Sequence, residues 1–264
     1  MTMSKKYSAI ELIKQDAIAT IYLNRPSAMN ALNDVLVEDL LAALDDVAAD
    51  QTVRVVVLTG RGKAFCAGGD LFHLVSLDEL SAARTFIARA GSVTAAMMNL
   101  TKPIIAMVNG VAAGAGFSLT LASDIVFCAT SVRFAQSFSK VGLVPDCGAH
   151  YLLPRIVGPY KAKELMFTAD LIDAETAEKL GFVNRLVADD RLEEETYAFA
   201  RRLVAGPPMP LAMIKKVINM SGMIDLATTL EIETEAQTVC MRTADHREGV
   251  AAFKDKRAPV FTGK

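Results

Sequence analysis

The sequence predicts an α/β layered core followed by a helical C-terminal region. Two observations predict the core. "VRVVVLTG" (53–60) and "KPIIAMVNG" (102–110) are continuous apolar runs, the pattern of strands covered on both faces. Segments with apolar residues at helical spacing lie around them, so strands and helices alternate. A third observation sets the C-terminal region apart: beyond about residue 156 almost every segment reads as helix.

In chain order, "YSAIELI" and "AIATIYLNRP" read as two strands joined at "KQD", the second stopped by Pro26. Asn33 opens an amphipathic helix, "DVLVEDLLAALDDVAAD". The strand at 53–60 gives way to a loop, "RGKAFCAGGDL", and then to a long Ala-rich helix over roughly 78–99. After the strand at 102–110, "VAAGAGFSLTLASD" turns into a helix, and "IVFCAT" and "VRFAQ" resume strand character. The later helices are "YKAKELMFTAD", "DAETAEKLG", "LEEETYAFARRLVAG", "LAMIKKVINM" and "LATTLEIETEAQTVCM", with one short strand near "FVNRLV" and a break at "GPPMP".

Composition narrows the function classes. The 264 residues suffice for a sizeable core, and a formal net charge of −2 gives no electrostatic reason to expect nucleic acid or an anionic membrane. The opening stretch has two lysines but no apolar h-region, and no apolar run reaches the roughly 18 residues needed to cross a bilayer. The four cysteines are scattered without a CxxC pair, which fits reduced thiols in a cytoplasmic protein rather than a disulfide frame or a zinc site. No metal site is expected.

Two glycine-rich stretches imitate nucleotide loops without being them. "GRGKAF" has no Ser or Thr after Lys63, and in "GAGFSL" Leu119 stands at the third glycine position. Cys147 and His150, one helical turn apart, lack an evident orienting partner for nucleophilic work. The two stretches make more sense together. Each ends a buried strand where the backbone turns towards a helix, and glycines there let a ligand approach main-chain N–H groups. Two such amides converging on one oxygen would form an oxyanion hole; the alternative is a pair of tight turns.

"LNRPSAMNALN", "AFCAGGDL", "NGVAAGAGFSLTLASDIVFCAT" and "FSKVGLVPDCGAHYLLPR", in that order, closely resemble the enoyl-CoA hydratase/isomerase (crotonase) superfamily. The resemblance extends through "LGFVNRLV" to the ending "ADHREGVAAFKDKRAPVFTGK". Within the superfamily, "FSKVGLVPDCG" and the ending look most like the phenylacetate-pathway 1,2-epoxyphenylacetyl-CoA isomerases. The resemblance implies a spiral of β-β-α units over residues 1–200 as the acyl-CoA-binding catalytic core. It implies a C-terminal helical oligomerisation region over 201–264, in a homotrimer or hexamer. It further implies an acyl-CoA thioester as substrate, with coenzyme A entering only as part of it and no other cofactor. By motif position the oxyanion amides would be those of Gly69 and Ala115. The main-chain oxygens of Ala67 and Leu71 would meet the adenine amino group. Phe253, Lys256 and Phe261 match positions near the CoA moiety, often supplied by a neighbouring subunit. Many relatives carry a basic residue where this chain has Ser27.

A thioester carbonyl weakly acidifies its α C–H, and two fixed hydrogen bonds stabilise the enolate left behind. Hydratases of the family resemble one another in two glutamates; the matching positions here are Ser118 and Phe138, neither an acid or base near neutral pH. Asp146 is the carboxylate that remains. Shifting a double bond needs one base that removes a proton at one carbon and returns it at another, and an aspartate in an apolar pocket has its pKa raised towards a useful range. Asp146 also precedes "CGAHYLLP", a credible short helix, and aspartate is a favoured N-cap; on spacing alone the two roles stand equal. The resemblance tips the reading towards a catalytic Asp146 in an acyl-CoA isomerase. The alternatives are an enoyl-CoA hydratase using other groups, and a catalytically silent acyl-CoA or RNA binder on the same scaffold. Asp70 is expected to tie down its loop, Asp124 to fix a turn, and His73 and His150 to flank the pocket or lie at the surface. "LFHLVSLDELSAARTF" is expected to shape the acyl pocket.

Overall fold

A computed structural model describes residues 7–264, so Lys5 and Lys6 of the opening stretch lie outside the described residues. The strands are β1 (Ile10–Gln15), β2 (Ile18–Leu23), β3 (Val55–Gly60), β4 (Ala64–Cys66), β5 (Ile104–Val108), β6 (Val111–Ala113), β7 (Ile125–Ala129), β8 (Arg133–Ala135), β9 (Ile172–Asp173) and β10 (Arg185–Val187). The helices are α1 (Asp34–Ala49), α2 (Leu71–Ser76), α3 (Leu80–Asn99), α4 (Ala115–Leu121), α5 (Ala149–Val157), α6 (Pro159–Thr168), α7 (Ala174–Lys179), α8 (Leu192–Val204), α9 (Pro208–Ser221), α10 (Leu226–Met241) and α11 (Ala244–Lys254).

Two sheets form the core. One has the order β1-β2-β3-β5-β7-β10, the other β4-β6-β8-β9. Among the described residues only the β1–β2 hairpin and the β8–β9 pair are antiparallel; the other pairings are parallel. Consecutive strands therefore step between the sheets: β3, β5 and β7 lie in the first, and β4, β6 and β8, which follow them after a few residues, lie in the second. Each step repeats the same move, which is the β-β-α spiral in structural terms. The central strands β3 and β5 are buried along their whole length, as continuous apolar runs require.

The helices that matter for the site are fixed by local chemistry. The Asn33 side chain caps α1 by accepting from the Leu36 N–H at 3.0 Å, and Leu36, Val37, Leu40, Ala43, Leu44 and Val47 form its buried stripe. Glycine-to-helix turns open α4 and α5, at Gly114 and Gly148. At the C-terminal end, α9 buries only Lys215 and α10 buries no residue. The structure adds two elements inside "RGKAFCAGGDLFHLVS": the strand β4 and the short helix α2, separate from α3. Three and six residues are too few for periodicity to declare itself.

Candidate active site

The two glycine-rich stretches end neighbouring strands of the second sheet, because β4 pairs with β6 in parallel. Their turns lie against each other. A Cβ on Gly114, whose φ is 51°, would stand 3.6 Å from Gly68 Cα, and Gly68 itself has φ 103°. A Cβ on Gly116 would overlap the carbonyl oxygen of Cys66. Glycine is thus required by close approach as well as by backbone angle.

This packing frees one amide on each turn. Around Gly69, the Leu32 N–H donates to the Gly68 oxygen at 2.7 Å and the Asp70 N–H to the Leu32 oxygen at 2.8 Å. The flanking peptides are pinned, while among the described residues no main-chain carbonyl accepts from the Gly69 N–H. Ala115 is the first residue of α4, where a helical N–H has no intrahelical acceptor.

Asp146 reaches the same place from a tight turn. Ala149 N–H donates to the Asp146 carbonyl at 3.1 Å, across two left-handed residues, Cys147 at φ 48° and Gly148 at φ 80°. The helix α5 starts after this turn with Gly148 as its N-cap and no side-chain cap bond. The carboxylate is therefore not a cap. It is half-buried, and its Oδ1 has no hydrogen-bond partner among the described residues. Burial pushes its pKa above the usual aspartate range, against smaller opposing pulls from the Cys147 thiol and from its own main-chain N–H.

Gly69, Ala115 and Asp146 line one cavity of about 180 Å³, together with Ala67 and Leu71. Its wall is apolar: Leu74 of α2, Phe86, Ile87 and Ala90 of α3, and Phe138, Val141 and Leu143. Among the described residues, Asp146 is the only carboxylate in that lining and Lys140 the only cation. Sequence reasoning pointed to the wall of α2 and α3 but missed Ser137, Lys140, Val141 and Leu143. Their signal was adjacency to Phe138, at a position already marked as chemically important.

The other acids are committed elsewhere. Asp70 caps α2 through the Phe72 and His73 N–H groups and pairs with Arg25 at 2.9 Å; against the cost of burial, Arg25 and those N–H groups hold its pKa down. Asp124 accepts from the Ile104 N–H at 2.7 Å and pairs with Lys215 at 2.8 Å. His73 sits edge-on to Phe86, and His150 is exposed. The Cys66 thiol is fully buried beside the Gly68 turn, and desolvation pushes its pKa up to about 12. Ser118, also fully buried, is behind the cavity rather than in its lining.

The positions matched to coenzyme A divide into two groups. Ala67 and Leu71 are at the cavity. Phe253 and Phe261 border a separate, larger groove of about 990 Å³ between α9, α10 and α11, and Lys256 follows α11 in a left-handed conformation and lines neither space.

Comparison with known proteins places the chain in a family. The enoyl-CoA hydratase/isomerase family model matches residues 13–264. The chain is 40% identical over 254 residues to the 1,2-epoxyphenylacetyl-CoA isomerase of Escherichia coli (strain K12), covering 95% of this chain and 97% of that one. It is 36% identical to the crotonyl-CoA hydratase of Syntrophomonas wolfei, covering 98% and 99%. The crystal structure of an enoyl-CoA hydratase from Bacillus anthracis superposes with a TM-score of 0.94 at 32% identity, covering 97% of this chain and 100% of that one. On matches spanning almost its whole length, the chain belongs to the enoyl-CoA hydratase/isomerase (crotonase) family.

Proposed function

We propose that this protein is an acyl-CoA isomerase in which Asp146 carries a proton between two carbons of a thioester enolate. The observation that supports this reading is a lone, partly desolvated carboxylate in a cavity rimmed by two uncommitted amides. Asp146 removes a proton from C2 of a 3-enoyl-CoA, the electron pair moves onto the thioester oxygen, and the Gly69 and Ala115 N–H groups hold that oxygen. The same carboxyl returns the proton at C4 as the double bond settles between C2 and C3. Removing one such donor costs about 10²–10³ in rate in acyl-transfer enzymes. The 1,2-epoxyphenylacetyl-CoA isomerase among the relatives supports a second substrate of the same thioester class, a ring-epoxidised phenylacetyl-CoA, which we propose this chain opens to an oxepin thioester. The proposed chemistry needs no metal or redox group.

Turnover of 3-enoyl-CoA by wild type and Asp146→Asn tests the reading. The variant is expected to lose at least a hundredfold in kcat, within the range of positioned acid–base groups at about 10²–10⁴. Equal rates would remove the aspartate from the mechanism. A second reading, hydration, draws on the relatives named as hydratases. It predicts rapid water addition to crotonyl-CoA by wild type, whereas a chain with Ser118 and Phe138 at the two glutamate positions is expected to hydrate it poorly.

We also propose a homotrimer or hexamer in the cytoplasm. The apolar groove of α9–α11 would be covered by a neighbouring copy, and Phe253, Lys256 and Phe261 would meet coenzyme A bound there. Among the described residues no helix is long and apolar enough to cross a membrane.

A further inference from the structure

The turn that presents Asp146 is gripped by two hydroxyls from two different helices. The Ser118 hydroxyl, on α4, donates to the Asp146 carbonyl at 3.1 Å. The Thr94 hydroxyl, on α3, donates to the next carbonyl, that of Cys147, at 2.8 Å. Both side chains are buried. Thr94 also touches the turn with its methyl group: a Cβ on Gly148 would come within 2.9 Å of Thr94 Cγ2.

The two anchoring helices also contribute other parts of the cavity lining. Ala115, which lines the cavity, lies one turn before Ser118 on α4, and Phe86, Ile87 and Ala90 of the apolar wall lie on α3 with Thr94. We propose that Ser118 and Thr94 are positioning residues that lock the proton-carrying aspartate in register with the oxyanion hole and the acyl wall. On this view the position where hydratases of the family resemble one another in a glutamate has become a clamp on the base's own backbone. This rests on Asp146 being the base.

A bland alternative exists for Ser118, because serine within a helix often bonds back to the carbonyl four residues earlier. Here that carbonyl, of Gly114, is farther away at 3.3 Å, and it already accepts from the Ser118 N–H at 3.1 Å. The turn, by contrast, has left-handed backbone at both central residues, one of them not glycine, and needs outside support to keep that shape.

The experiment compares Ser118→Ala, Thr94→Val and Thr94→Ser, each alone and in the Asp146→Asn background. It reads kcat and KM on 3-enoyl-CoA, hydrogen exchange at C2 of a bound acyl-CoA, and thermal melting. Ser118→Ala and Thr94→Val are expected to lower kcat about ten- to a hundredfold, the cost of misplacing a reacting group by about 1 Å, with KM nearly unchanged. Thr94→Ser, which keeps the hydroxyl and loses only the methyl, is expected to recover most of the rate. In the Asp146→Asn background neither hydroxyl deletion should slow exchange further, since nothing remains to be positioned. The clamp is overturned if Asp146→Asn is inactive while the hydroxyl deletions keep wild-type kcat, or if their losses add to that of Asp146→Asn. It is also overturned if Thr94→Ser behaves as Thr94→Val does. Wild-type turnover by Asp146→Asn would instead sink the assignment of the base. Should Thr94→Val fail to fold, Ser118→Ala decides alone.

Discussion

At Asp146 the protein holds a carboxylate in surroundings that disfavour its charge, because burial withdraws water and leaves Oδ1 without a donor. That has a consequence for stability whose sign follows from linkage. Below the unfolded value of about 3.9 the acid is protonated in both states and contributes no difference. As pH rises from there through the raised folded value, the unfolded chain gives up its proton more readily, so stability is lost across that window and stays lost above it. Asparagine carries no charge and escapes the penalty. Asp146→Asn is therefore expected to melt higher than wild type at pH 7, with the difference vanishing as pH falls towards 4. A variant that melts lower at pH 7 would mean that the fold satisfies the carboxylate. The residue was legible in the sequence as a candidate, but spacing alone did not show whether it caps the helix. That choice depended on Cys147 taking a left-handed backbone, which moves the helix start to Ala149, and no residue type at position 147 announces it.

Between elements, the proposed oxyanion hole depends on how closely α4 can sit on β4. Gly116 packs directly on the Cys66 main chain, where neither partner is a flexible side chain that can move aside. Gly116→Ala is expected to force the two strand ends apart, costing about 1–3 kcal/mol as overpacking does. It should also reduce kcat, because the Ala115 N–H moves with the helix. Urea unfolding together with steady-state kinetics would show both effects; a variant with unchanged kcat would mean that the amide position does not depend on this contact. Gly91 of α3, where a Cβ would have no atom within 4 Å, is the matching control. At this scale much was legible. The buried strands β3 and β5 declared themselves by unbroken apolar runs, and α1 by its cap and stripe. What stayed hidden was the pairing of β4 with β6, since three-residue strands have no pattern and sheet partnership is a non-local fact.

Across the whole molecule, the C-terminal helices are joined to the core by few but specific contacts. Lys215 of α9 reaches Asp124 at 2.8 Å and donates to the Met97 carbonyl near the end of α3, also at 2.8 Å, while the Asn219 amide donates to the Met98 carbonyl at 3.0 Å. Burial lowers the Lys215 pKa and raises that of Asp124, each opposed by the partner's charge. Removing one member of such a pair leaves the other charge buried alone, so Lys215→Ala is expected to destabilise the protein by about 3–5 kcal/mol in denaturant unfolding. A loss under about 0.5 kcal/mol, typical of surface substitutions, would show that α9 is held by something else.

The same helices leave a large apolar groove open, with Phe253 on its edge 86% exposed, and a contiguous apolar surface of that kind marks an interaction site. The separation between this ring and the Asp146 cavity gives the proposed assembly a kinetic signature. If Phe253 meets coenzyme A bound to a neighbouring copy, Phe253→Ala should raise KM for acyl-CoA about tenfold, roughly what burying a phenyl ring against a ligand is worth. kcat should hold, because the carboxylate and the two amides come from one chain. A thioester cut back to the pantetheine arm lacks the distant nucleotide, so wild type and variant should turn it over alike. Sedimentation of the variant separates loss of the contact from loss of the oligomer. An unchanged KM for full-length acyl-CoA, in a variant that still assembles, would place the nucleotide away from this helix.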